Sequence, residues 1–147
     1  MQEILSKLFQ RDLEKLKTEI TSYKDPSKMW HITGKIKNSA GNLCLHICGN
    51  LQHFIGATLS NSGYKRNRDA EFDRKNVPVD KLIIEIDKTL EIVTETLKNF
   101  EEEKLSEIYP INVFGNEMTI GFFLAHLTTH LNYHLGQINY HRRLLDT

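Results

Sequence analysis

Four stretches of this 147-residue chain repeat apolar side chains at intervals of three and four, and that period limits the fold more than any other feature. The first covers roughly residues 2 to 23, with Leu5, Leu8, Phe9, Leu13, Leu16, Ile20 and Tyr23 on one face, and Asp25-Pro26 ends it. The second runs from about residue 39 to 60, with Asn38 or Ser39 as N-cap and Leu43, Ile47, Leu51, Phe54, Ile55 and Leu59 as its stripe. The third, about 79 to 102, holds the cleanest period: Val79, Leu82, Ile83, Ile86, Leu90, Val93, Leu97 and Phe100. The fourth starts after a Thr119 cap and continues to about Leu145, with Ile120, Phe123, Leu124, Leu127, Leu131, Leu135 and Ile138 inward. No strand pattern competes. One all-α domain over residues 1–147, a four-helix bundle, is the expected fold.

The longest break in the pattern, residues 61–78, is polar and charged but contains Tyr64 and Phe72. Connections of that length are often functional, and the aromatic residues suggest that it packs onto the helices. The charged cluster Arg66, Arg68, Asp69 and Glu71 reads most simply as solvated, with Arg66 or Arg68 able to bind an anionic group if the loop folds over a site.

Bulk properties exclude several classes. Lys and Arg number 19, as do Asp and Glu, so no net basic field recruits nucleic acid. No segment approaches the ~20 apolar residues of a membrane span, and the N-terminus lacks a secretory pattern, so a cytoplasmic protein is expected. Cys44 and Cys48 are too few for a disulfide framework. Each lies two residues from His46 and points away from it on a helix, so both read as small buried residues.

The fourth helix carries His126, His130 and His134. Residues four apart on an α-helix are turned by only about 40° and raised by about 6 Å, so neighbours in this series can close on one ion. His126 and His134 are too far apart to share it, as are His46 and His53 on the second helix. A metal site would therefore take one adjacent pair from the fourth helix and one His from the second. Spacing leaves His126/His130 and His130/His134 equally open. His31, His53 and His141 read as surface or helix-end residues.

The segment His130-Leu-Asn-Tyr-His134-Leu-Gly136-Gln137 resembles the HxxxHxGQ signature of the DinB-like superfamily. Leu45-His46-Ile47-Cys48-Gly49-Asn50-Leu51 is similar to the motif on that family's second helix, and Ile36 to Leu43, with Trp30 upstream, resembles one uncharacterised branch. The resemblance implies a four-helix bundle with a long crossover connection, a homodimer, and one divalent ion, zinc or nickel, held by His46, His130 and His134. It also implies a reaction such as joining a low-molecular-weight thiol to an electrophile.

Three imidazoles with no fourth protein ligand leave a position open for water or a small-molecule substrate. Gln137 lies within reach of a ligand imidazole, and Asn50, Tyr64 and His126 are candidates for the surrounding cavity. Asn50 has an equal claim to a backbone bond at a tight Gly49 contact, and Gly136 would admit a close helix approach. A hydrolase of small esters or amides would use the same ligands but lacks an acidic residue on either His stripe, leaving Asp69 or Glu71 for that role. A non-catalytic, stress-related metal-binding dimer would need no roomy pocket beside the ion.

Overall fold

The computed structural model describes residues 1–147 and is all-helical, its only strand-like feature being an isolated bridge between Ile108 and Thr119. The elements are α1 (Gln2–Thr21), α2 (Ala40–Leu51), α3 (Arg68–Asp73), α4 (Val79–Lys98) and α5 (Ile120–Leu145), with 3-10 turns at Pro26–Trp30 and Glu102–Ser106. Helix α1 packs on α4 and α5, and α2 packs on the same two helices. No helix is long and apolar enough to cross a membrane.

Local chemistry sets the helix ends. Ser39 accepts from the Asn42 amide at the start of α2, and Thr119 accepts from the Phe122 amide at the start of α5. Asn67, in the long connection, accepts from the Ala70 amide and starts α3. The expected first helix ends two residues early, at Thr21, yet Tyr23 is still buried. The third ends at Lys98, and Phe100 packs on the core from beyond its end.

The second helix departs most from its expected form. Its α-helical part stops at Leu51 and Gln52–Ala57 form a π-helical segment before one last turn, Thr58–Ser60. The Thr58 amide bonds the His53 carbonyl five residues back, and the Thr58 hydroxyl joins it at 3.0 Å. The wider turn brings Gly56 against α4, where a methyl group would lie 2.7 Å from Ile92. Asn61 then turns the chain out with φ +52° as the Ser62 amide closes onto the Gly56 carbonyl.

Every residue of Ala40–Leu51 is buried, not merely one stripe. The connection explains this: α3 and the Pro26–Trp30 turn cover the outer side of α2. Small residues make the close approach possible, for a methyl on Gly41 would meet the Trp30 ring at 2.6 Å. Cys44 and Cys48 are free and buried here. A thiol–thiol hydrogen bond with Cys48, with burial, holds the Cys44 thiol well above its ordinary pKa.

The core takes the inward residues of all four long helices, including Phe9, Leu13, Leu16, Ile47, Leu82, Ile86, Phe123 and Leu124. Polar clamps fix α1 against α5. Buried Asp12 accepts from Asn132 at 3.0 Å, and Glu19 accepts from Asn139 and Arg142, both at 2.7 Å. Beyond them the Tyr23 hydroxyl meets His141 Nδ1 at 2.7 Å, and His141 Nε2 donates to the His31 carbonyl at 2.8 Å. His141 is therefore a buried, doubly bonded link between chain segments, not the helix-end surface residue its position suggested.

Leu16 has no exposed surface, whereas Ile4 on the same helix is 57% exposed. Leu16→Ala is expected to lower unfolding free energy by about 3 kcal/mol and Ile4→Ala by less than about 0.5 kcal/mol, read from urea denaturation. Burial pushes the Asp12 and Glu19 carboxyls up, but the bonds from Arg11 and Asn132, and from Arg142 and Asn139, more than reverse it. Both are depressed in the folded state, so their stabilisation is present above their unfolded pKa values and is lost as pH falls through the folded ones. The urea midpoint should drop below about pH 4, and Asp12→Asn with Glu19→Gln should lower it at pH 7 while flattening that acid limb.

Candidate metal centre

Helix α2 presents His46 and helix α5 presents His130 and His134 to one point. His130 Nε2 lies 3.3 Å from His46 Nε2 and 3.1 Å from His134 Nε2. The three donor atoms all lie within 4.8 Å of one another. Two nitrogens bound to one zinc at about 2.1 Å stand about 3.4 Å apart in a tetrahedral site, close to the observed contacts.

Hydrogen bonds on the far side of two rings decide what those nitrogens present. His46 Nδ1 faces Glu71 Oε1 at 3.0 Å, and His134 Nδ1 faces Gln137 Oε1 at 2.7 Å. Each acceptor requires an N–H at Nδ1, so the neutral rings turn the lone pairs of both Nε2 atoms inward. His130 Nε2 sits against both and has at most one proton to give. Hydrogen bonding among the three rings cannot satisfy all of these contacts, whereas a cation can.

Electrostatics favour the neutral, ligating form. Burial, with the neighbouring His134 and His46, pushes the His130 pKa down to about 3. Burial also lowers His134, against the opposing bond to Gln137. His126 stands apart from the converging set. Its ring stacks on Phe123 at 6.0 Å and meets the edge of Phe114 at 4.8 Å, with His130 6.3 Å away.

Glu71 is the residue the sequence placed least well. The charged cluster of the connection read most simply as solvated, but α3 carries Glu71 inward until it is 6% exposed. The Arg66 guanidinium grips the carboxylate with two bonds of 2.9 Å, and His46 shares the Oε1 oxygen with it. Burial pushes Glu71 up, but the bonds from His46 and Arg66 outweigh it and hold the carboxyl below its ordinary range. Arg66 lies 5.6 Å over the Phe54 ring, and the Phe72 ring lies tilted at 4.9 Å from His46, so Phe72 of the connection packs inward. The available signal was Asn67, a helix cap just before Glu71, which predicts a turn of helix inside the connection.

Gly49 makes this arrangement possible: its missing side chain leaves the space the Glu71 carboxylate fills. The tight Gly49 contact is thus with a carboxylate and not with a backbone that Asn50 could bond. Asn50 is 7% exposed, and its Oδ1 has no hydrogen-bond partner. Tyr64 lines a cavity of about 140 Å³ with Cys48, Gly49 and Glu85, which none of the three converging His lines. Gly136 has nothing within 4 Å of where a side chain would begin, so no helix approaches there.

Gly49→Ala would force the Glu71 carboxylate out of its place. The expected outcome is local release of α3, seen as faster hydrogen exchange at the Ala70 and Arg74 amides, with exchange in α1 and α4 unchanged. Unchanged exchange at those two amides would mean that Glu71 does not hold α3 in place.

A comparison with curated proteins finds no match to this chain. A family model does match, over residues 5–147, and it describes a protein of unknown function, DUF1572. The match spans both His-bearing helices and the connection that carries Glu71, and the chain belongs to the DUF1572 family.

Proposed function

We propose that His46, His130 and His134 hold one divalent ion and that the protein is a metal-dependent enzyme acting on a small molecule. The observation that carries this reading is the meeting of three Nε2 atoms, two with their lone pairs fixed inward by Glu71 and Gln137. The donor set of three neutral imidazoles suits zinc or nickel and leaves a coordination position free. A divalent ion there would lower the pKa of a thiol or water, the chemistry of a transferase that joins a low-molecular-weight thiol to an electrophile.

The chain's own residues would supply orientation. Glu71 and Gln137 fix the ring tautomers, and Arg66 neutralises Glu71 so that a buried carboxylate is tolerated. Because Glu71 is already bound by His46 and Arg66, it is not free to act as a general base, which weighs against a hydrolase. The packing of α1 and α2 on both α4 and α5, with the long connection between α2 and α4, supports a DinB-like four-helix bundle with a crossover. The same reading takes the protein as a cytoplasmic homodimer, and exposed Phe122 and Tyr133 on α5 are apolar surface that a second copy would cover.

One observation favours a second reading, a non-catalytic metal-binding protein. His46, His130 and His134 line none of the cavities of about 140 to 780 Å³ on the surface around the bundle. A catalytic centre needs room beside the ion, and that room must come from the half-buried, solvent-facing side of His130 and His134.

Elemental analysis of protein purified without chelator or a His tag tests the metal. About one zinc or nickel per chain is expected in the wild type and none in His130→Ala. Glu71→Gln should keep the stoichiometry but weaken affinity by about 10- to 100-fold in chelator competition, the usual effect of removing a carboxylate behind a ligating His. Wild-type protein that neither carries metal nor takes up zinc or nickel would overturn the reading.

A further inference from the structure

We propose that the groove between the segment before α2 and the last turns of α5 binds a small amphipathic carboxylate, and that its occupancy is felt at the three-His centre through Gln137. The second part rests on the metal reading above, and the first does not.

The groove encloses about 540 Å³, within the ordinary range of small-molecule sites. Ile36, Leu43, Tyr140 and Leu144 give it an apolar wall. Tyr140 and Leu144 are 64% and 63% exposed, although both are large apolar-bodied side chains on a helix whose other face is fully packed. Lys35 and Lys37 stand at the same groove, neither makes an ion pair, and no acidic residue lines it. Apolar wall and unpaired cations together fit a molecule with an apolar body and one anionic end.

Asn38, Gln137 and His141 are the groove's remaining polar side chains, and Gln137 is the one among them that bonds a member of the three-His set. His141 lines it but has both ring nitrogens engaged, by Tyr23 and by the His31 carbonyl. Gln137 also lines it, and its Nε2 makes no hydrogen bond within the chain while its Oε1 holds His134. A ligand seated on the lysines thus has the free Gln137 amide donor in the same groove, one hydrogen bond away from a ring of the three-His set. Gln137 is the link by which occupancy of the groove reaches His134.

Titration of octanoate into nitrogen-15-labelled, metal-free protein tests this, with octan-1-ol as the uncharged control. Saturable shifts are expected at the Lys35, Lys37 and Leu43 amides and at the Gln137 side-chain amide, with the His134 ring N–H moving in step. Octanol should bind about tenfold more weakly or less, the worth of one charged hydrogen bond. Lys35→Gln with Lys37→Gln, both exposed and unpaired, should abolish the preference for octanoate and leave the rest of the spectrum unchanged.

Equal binding of octanol, shifts scattered over the surface, or a preference that survives the double variant would overturn the groove. So would shifts at these amides that follow protein concentration without octanoate, which would mark a contact between copies. A His134 ring that stays still while the groove fills would overturn the link. Zinc titrated into a separate sample keeps the two failures apart: zinc uptake without octanoate binding sinks the groove alone, and octanoate binding without zinc uptake sinks the metal reading and the coupling to it.

Discussion

A buried carboxylate organises this structure. Glu71 would be costly inside a protein of this size if it stood alone, since removing one partner of a buried ion pair destabilises by about 3–5 kcal/mol. It is tolerated because Arg66 and His46 both bond it and Gly49 leaves room for it. The consequences spread outward. Meeting Glu71 sets the tautomer of His46, docking of α3 buries the outer side of α2, and the long connection becomes part of the centre rather than a cover over it.

The second requirement is that α5 stay in fixed register opposite α2, because the His46, His130 and His134 nitrogens meet only at one relative height. Apolar packing alone resists sliding weakly, since one leucine contact resembles the next. Asp12 with Asn132, Glu19 with Asn139 and Arg142, and Tyr23 with His141 are directional contacts that tie α5 to α1 and to the segment after it. The π-helical segment Gln52–Ala57 acts on the other side. It rephases the end of the second helix without disturbing His46, which lies before it.

The helical stripes were legible in the chain because each depends on a local period. Every inward residue expected of α5 is buried, and both the Ser39 and Thr119 caps hold their helices. The choice between the two His pairs on α5 was not legible from spacing, which treats His126 and His134 alike, and it came first from resemblance. The structure distinguishes them through Gln137, which reaches His134, and through the aromatic stack of Phe114 and Phe123 that occupies His126. His141 and Glu71 were misread for one reason. Polar residues near a helix end or in a charged run are usually solvated, and only partners distant in sequence, Tyr23 for one and His46 for the other, make their burial affordable.

The sequence by itself determined an all-helical chain, four amphipathic helices with the capping residues of two of them, and a set of histidines able to share one ion, because periodicity and i, i+4 spacing are local properties of the backbone. Tertiary structure decided which imidazoles meet, that Glu71 belongs with them, that helix α2 is buried on every side, and that a cationic, apolar-walled groove opens beside Gln137. Those outcomes depend on contacts between residues far apart in the chain, and no local pattern encodes a distance across it.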